Sequence, residues 1–457
     1  MVPAALLAAV ALAQGGMAPI APGNMEGRPP QAQASPLQAL VDAAAPGATL
    51  EIAPGTYRGD LYLHRPLRLV GTGRPRLVGS GKGSVVRIRA PDVTVEGFDI
   101  DGLAGGDMVA DSSGVHAAAP RPTVRNCRSV NTLFGVYLRE APGARVEGNV
   151  IQGIPGKDAG EKGSGIHAWN MLGFAIVRND ISDARDGIYI QNASQGVVRG
   201  NAARRVRYGL HYMSSDDNIF EDNLFEESAA GAVLMFSSRI QFRRNRFLHN
   251  RGFASVGLLF KDLQDSVAED NLIADNARGI FLEGSYRNVF RRNVVAESDV
   301  AIVLYSSSEG NRFEGNAFLG NLTPLTLYAR RTDTVFDGNY WSENGEPDLD
   351  GDGRSDRPYT LGSLFDHFRG NLTAADLMAQ SPAASALAAA ERVFPVLDPI
   401  QAVDHAPLAR PPSLEDVPRA PSRGRRFHLG AAMGSLALVA AGLSALRGRR
   451  HGVGNAA

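Results

Sequence analysis

Between Gly114 and Leu304 the chain repeats one short phrase, a small residue followed by apolar, variable and apolar positions. The phrases begin at Gly114 (GVHA), Gly135 (GVYL), Gly165 (GIHA), Gly187 (GIYI), Gly209 (GLHY), Gly231 (GAVL), Gly257 (GLLF), Gly279 (GIFL) and Ala301 (AIVL). They follow one another at 21, 30, 22, 22, 22, 26, 22 and 22 residues. Asn149, Asn179, Asn201, Asn223, Asn245, Asn271 and Asn293 keep step with them, at spacings of 30, 22, 22, 22, 26 and 22. The two markers share the same insertions, eight residues near 153–163 and four near 252–256. A third column runs through Ser215, Ser237, Ser285 and Ser307.

A unit of 22 residues with short strands and Gly, Asn and Ser at its turns predicts an all-β fold, a right-handed parallel β-helix. Coils then stack about 4.8 Å apart, and asparagines at one turn can satisfy one another as a ladder of amides. A leucine-rich horseshoe would need L-x-x-L-x-L spacing and a helix per repeat, and neither is present. Pro36–Ala45 reads as a short amphipathic helix that caps the open first coil. After Trp341 strand signals fade, and Gly370–Val396 has a helical composition, a partly helical C-terminal segment folded over the last coil or along one face.

Strand alternation separates the side chains of each phrase. The positions one and three after the small residue are apolar and point into the coil; those two and four after it point outward. The first outward column is His116, Tyr137, His167, Tyr189, His211, Val233, Leu259, Phe281 and Val303. The second is Ala118, Arg139, Trp169, Gln191, Met213, Met235, Lys261, Glu283 and Tyr305. An exposed stripe of this kind marks a binding groove or a covered interface, with His116, Tyr137, Trp169, Tyr189 and Phe281 as the partner-binding side chains. His211 and Met213 lie two apart on one strand, about 6.7 Å, and Met213 and Met235 lie on adjacent coils. One imidazole and two thioethers that converge select Cu(I) over harder ions. His167, two coils from His211, is a second point of a transfer track. Packing beneath a C-terminal segment is the plainer use of the same side chains.

Composition narrows the partners. Among 457 residues the net charge is −1, with no basic footprint for nucleic acid. The single cysteine, Cys127, excludes an internal disulfide framework and a Cys-cluster zinc site. Residues 4–13 are apolar and end in Ala11-Leu12-Ala13, a leader with a cleavage pattern. His428–Leu446 lacks Asp, Glu, Lys and Arg and just reaches spanning length. The chain thus divides into a signal peptide at 1–13, a flexible segment at 14–36, the β-helix at 37–345 and a C-terminal capping region at 346–410. A Pro-rich linker at 411–427, a membrane helix at 428–446 and a basic tail at 447–457 follow. The reading is an exported domain tethered at its C-terminus.

Two further features bear on chemistry. Asp348, Asp350 and Asp352, in "DLDGDGRSD", match the first half of a calcium loop and Asp356 falls at its ninth position, but Tyr359 stands where a bidentate Glu belongs, so a structural Ca²⁺ clip and a plain acidic turn both fit. Polysaccharide-acting enzymes need clustered carboxylates on the exposed face. The outward columns hold only Glu283, beside Lys261, while Asp183 and Asp186 read as solvated corner residues. A β-helix polysaccharide-binding protein, lyase or epimerase is therefore the alternative.

The phrases "RDGIY" (185–189), "RYGLHYM" (207–213), "GLLFKD" (257–262), "GIFLEGS" (279–285) and "NYWSE…DLDGDGRSDRPY" (339–359) resemble the NosD family, as do "NLTAADLMAQSPAASALAAAERVFPVLDPI" and "APLARPP" (406–412). The resemblance covers roughly residues 37–412. It implies a periplasmic β-helix protein, not an enzyme, that serves the maturation of nitrous oxide reductase. It further implies partners: a membrane ABC-type ATPase and permease, a copper chaperone and the reductase itself. The resemblance does not assign the Met and His ligands, which rest on spacing.

Overall fold

The structure, a computed structural model, describes residues 35–252, 254–329, 332–361, 402–413 and 417–418. The signal peptide at 1–13, the helical stretch at 370–396, the membrane helix at 428–446 and the basic tail lie outside the described residues. No helix among the described residues is long and apolar enough to cross a membrane.

Each coil contributes three short strands. In one, Tyr208–Met213, Ile219–Glu221 and Leu224–Glu226 form three faces, and the next coil repeats them as Ala230–Ser238, Gln241–Arg243 and Arg246–Leu248. All three pair in parallel one coil apart: Leu210 beside Ala232, Phe220 beside Phe242, Phe225 beside Phe247. The third face alone holds 13 strands, from Thr56–Arg58 to Tyr340–Trp341, so the described residues make about thirteen turns. The expected parallel β-helix is the observed fold.

Close coil contact explains the small-residue column. A Cβ at Gly209 would lie 2.6 Å from the carbonyl oxygen of Gly231, and one at Gly231 would lie 2.5 Å from that of Gly257. The inward residues Leu210, Tyr212, Phe220 and Phe225 join one continuous apolar core. Inside it aromatic rings pile up coil on coil, as in Phe220–Phe242 at 4.6 Å and Phe290–Phe313 at 4.7 Å. Tyr212 keeps its hydroxyl satisfied there by donating to the Ser215 carbonyl at 2.6 Å and accepting from Asn218 at 2.6 Å.

The N-terminal helix, Pro36–Ala43, begins where Ser35 caps it, its Oγ accepting from the Gln38 N–H at 3.2 Å, and Pro36 fits the first turn. It buries Leu37 and Val41. The Gln38 amide then mimics a strand: it donates to the Tyr62 carbonyl at 3.1 Å and accepts the Tyr62 N–H at 2.8 Å. That satisfies part of the open first edge.

The asparagine ladder runs as expected and extends further. In each rung the backbone N–H and side-chain Nδ2 of one Asn both donate to the Oδ1 of the next, as Asn201 does to Asn223 at 3.0 and 3.0 Å. It starts where the Cys127 N–H donates to Asn149 and continues past Asn293 through Asn316 to Asn339. Asn339 donates twice to Asp404, at 3.0 and 2.9 Å. The strand Ala402–Asp404 places that carboxylate beside Phe336 on the last coil. The serine column differs by one residue from expectation: the Ser285 N–H donates to Ser308, not Ser307, whose hydroxyl instead accepts from Gly284. A 23-residue coil shifts the register there, as the step from Asn288 to Asn311 also shows.

Candidate functional site

The two outward columns stand in register as read. His116, Tyr137, His167, Tyr189, His211 and Val233 pair in succession along the first face, and so do Trp169, Gln191, Met213, Met235 and Lys261. Their exposure differs from expectation. His116, Tyr137, His167, His211, Val233, Met235, Phe281 and Val303 are buried, and Trp169, Tyr189 and Met213 are half-buried. The reason is that outward side chains also stack at the coil spacing and gather neighbours from the turns. Tyr137 packs with Leu133, Phe134 and Ile154, and Met235 packs with Ala230, Val256, Phe281 and Val303. The stripe is a covered face, and His116, Tyr137 and Phe281 are not free surface.

Its upper half is a stack of alternating imidazole and phenol rings. His116 and Tyr137 lie parallel at 5.4 Å, Tyr137 and His167 are 4.4 Å apart, His167 and Tyr189 4.5 Å, and Tyr189 and His211 4.3 Å. Several nitrogens in this stack have no hydrogen-bond partner among the described residues: His116 Nδ1, both nitrogens of His167, and His211 Nε2. Burial lowers the imidazoles of His116 and His167 to about 3, helped at His116 by Arg89, Arg87 and Arg139 and at His167 by His211. Both are therefore neutral near pH 7, with a lone pair to offer. Burial also pushes the hydroxyl of Tyr189 up to about 12, so it stays a donor.

His211 is held differently. Its Nδ1 lies 3.1 Å from Asp186 Oδ2, and Arg207 clasps the same carboxylate at 2.9 and 2.7 Å. Despite the burial that opposes it, hydrogen bonds from His211 and Arg207 hold the Asp186 carboxyl well below the usual carboxylate range. A carboxylate can only accept, so His211 carries a proton on Nδ1 and turns its unpartnered Nε2 away from Asp186. This carboxylate-to-imidazole support is the arrangement that orients metal-ligating histidines. Asp186 thus is not the solvated corner residue the sequence suggested. The clue was spacing: Arg207 follows it by 21 residues, within one of the repeat, which places the pair on stacked coils.

Met213 and Met235 are direct register partners, one coil apart. The Met213 sulfur lies 3.2 Å from the Tyr189 hydroxyl, which is also 2.9 Å from Gln191 Oε1. His211, Met213 and Met235 therefore share adjacent coils, whereas the Tyr189 ring stands between His211 and His167 and keeps them apart. At the upper end Asp111 lies 3.6 Å from Arg139 and bonds Tyr137, and burial raises its carboxyl to about 6. Arg139 also covers Trp169, at 5.0 Å from the ring centre. At the lower end Lys261 and Glu283 pair at 3.0 Å.

Away from this face, Asp348, Asp350 and Asp352 each bring a carboxylate oxygen within 4.8 Å of the others. Asp356 is outside that trio and accepts the Leu349 N–H at 2.6 Å. Backbone N–H groups of Gly351, Asp352, Gly353 and Arg354 hold the loop by donating to these aspartates.

Among solved structures the chain is similar to the mannuronan C-5 epimerase A-module of Azotobacter vinelandii, with a TM-score of 0.55 and 15% identity over 65% of this chain and 93% of that one. It is likewise similar to a family 28 exopolygalacturonase of Yersinia enterocolitica, with a TM-score of 0.51 and 13% identity over 68% of this chain and 75% of the other. At such identities the likeness is one of fold. Among curated proteins a probable ABC transporter binding protein NosD of Stutzerimonas stutzeri is 31% identical, over 79% of this chain and 86% of the relative. A protein of the same description in Pseudomonas aeruginosa is 29% identical, over 85% and 94%. A family model described as NosD, periplasmic copper-binding protein, matches residues 154–351, the stretch that contains His167, His211, Met213 and Met235. Repeat grammar, solenoid fold and these relatives converge, and the chain belongs to the NosD family.

Proposed function

We propose that this chain is a non-catalytic periplasmic assembly factor for the copper centres of nitrous oxide reductase, acting with an ABC-type ATPase and permease and a copper chaperone. The family description as a periplasmic copper-binding protein supports the compartment and the cargo, and the names of the two relatives support the transporter as partner. The tether at 428–446 belongs to this proposal. The observation that carries the copper reading is the buried, unpartnered Nε2 of His211, aimed by Asp186. Met213 and Met235 supply soft donors on the same two coils, and His167 is a second station beyond Tyr189. The thioethers have no proton to shed, and burial keeps the His167 imidazole neutral at pH 7, so these donors need no local base. Trp169 and Tyr189, half-exposed, would meet a docking partner, with His116, Tyr137 and Phe281 backing them.

Cu(I) titration of the full chain against a chromophoric chelator, under anaerobic conditions, tests this. Wild type is expected to bind, and Met213→Leu with Met235→Leu to weaken binding by at least about tenfold. Equal affinity in both proteins would remove the thioethers from the site. Separately, we assign the Asp348, Asp350, Asp352 and Asp356 loop as a structural Ca²⁺ clip. Calcium is expected to raise the thermal midpoint by a few degrees in wild type and not in Asp350→Asn with Asp352→Asn; no rise in wild type sinks the clip.

The fold likeness to an epimerase and a polygalacturonase keeps a carbohydrate enzyme as the second reading. It finds little support at the outward face, where Glu283 is tied to Lys261 and Asp186 is sealed beneath His211 and Arg207.

A further inference from the structure

The Tyr189 hydroxyl has one proton and two acceptors. Gln191 Oε1 is 2.9 Å away and Met213 Sδ 3.2 Å away. Both acceptors sit side by side in the second outward column, on adjacent coils. The tyrosine ring is held between two neighbours, stacked on His211 at 4.3 Å and packed against the tilted His167 ring at 4.5 Å. Only the O–H bond is free to turn. A hydroxyl rotor that lies between two acceptors has two positions.

We propose that the Tyr189 hydroxyl is a latch on the Met213 thioether, closed when its proton points to sulfur and open when it points to Gln191. This rests on the copper reading above. In the closed position the hydroxyl engages a sulfur lone pair and stands in the approach to it, and a thioether that accepts a hydrogen bond donates less density to a soft cation. In the open position the amide oxygen takes the proton and the sulfur is bare. Gln191 is thus the residue that sets how readily the site loads, although it lies beside the metal donors and is not one of them. The arrangement gives a carrier site moderate affinity, which suits a protein that must release its cargo.

The test is the same anaerobic Cu(I) competition on the full chain, with variants that move affinity in opposite directions. Tyr189→Phe keeps the ring and the stack but removes the competing proton, and is expected to tighten Cu(I) binding about three- to tenfold, the worth of one hydrogen bond. Gln191→Leu removes the open-position acceptor, leaves the proton on sulfur, and is expected to weaken binding by a similar factor. The double variant should match Tyr189→Phe alone, because without the hydroxyl Gln191 has nothing to hold. Thermal midpoints monitor folding of each. If wild type binds Cu(I) through Met213 but Tyr189→Phe is no tighter, the latch is overturned and the copper reading stands. If Gln191→Leu and wild type bind alike, the two-position form is overturned. Absence of Cu(I) binding in all four proteins would sink the copper reading and the latch together.

Discussion

Replacing Asp404 by alanine is expected to lower the unfolding free energy by about 3–5 kcal/mol, a large share of what holds a domain folded. An amide ladder has a direction: each Asn donates from two nitrogens to the oxygen of the coil below. Among the described residues no asparagine continues the ladder after Asn339, and its donors require an acceptor that asks for nothing in return. Asp404 is that group. It is fully buried and accepts from Asn339 N at 3.0 Å, Asn339 Nδ2 at 2.9 Å and Trp341 Nε1 at 3.1 Å through Oδ2, and from Gly338 N at 3.2 Å through Oδ1. Removing the carboxylate strands these N–H groups away from water. Asp404→Asn preserves the shape but offers an NH₂ where one oxygen stood, and should fall between wild type and alanine. Urea unfolding of the three proteins checks the order. A loss below about 1 kcal/mol for alanine would mean that water or another group closes the stack.

The second large effect is acid destabilisation by the buried imidazoles. His116 and His167 titrate near 6.5 when unfolded and near 3 when folded. Between those values the unfolded chain binds more protons, so stability falls as pH drops, by up to about 1.4 kcal/mol per unit for each histidine. Above 6.5 both states are neutral there and the dependence vanishes. Asp111 opposes this, since its folded carboxyl, raised to about 6, holds a proton that the unfolded chain loses above about 3.8. The sum is about one histidine's slope from pH 6 to pH 4 and about two below, a loss of roughly 2–3 kcal/mol between pH 7 and pH 5. Urea midpoints across that range measure it. Asp111→Asn should steepen the profile, and His167→Phe should remove one histidine's share. A flat profile from pH 7 to pH 5 would show that these rings find protons or water when folded.

What was legible in advance followed from periodicity. A 22-residue repeat forces identical positions to stack, so the solenoid, the inward apolar set, the amide ladder and the pairing of His211 with Tyr189 and Met213 with Met235 could be read from numbers alone. Parity also sorted Tyr212 from His211 and Met213 correctly, because side chains alternate along any strand. The serine column slipped at Ser307 because one extra residue enters the coil after Ser285, and a repeat carries no sign of where such a residue is absorbed.

Burial, partners and endings needed the tertiary structure. Alternation says that His116, His167 and Met235 point away from the coil axis. It does not say that turns and neighbouring coils close over them, since that depends on loops outside the repeat such as those bearing Leu133 and Ile154. Asp186 reads as a corner carboxylate until the coil that follows lays Arg207 and His211 against it, and the Tyr189 hydroxyl meets sulfur only through the local path of two strands. Asp404 lies 65 residues beyond Asn339, and no local pattern links them. The sequence by itself determined what repeats, because stacking copies one set of forces from coil to coil. The tertiary structure alone decided what does not repeat: which nitrogen is left bare, which carboxylate supports it, and which one ends the ladder.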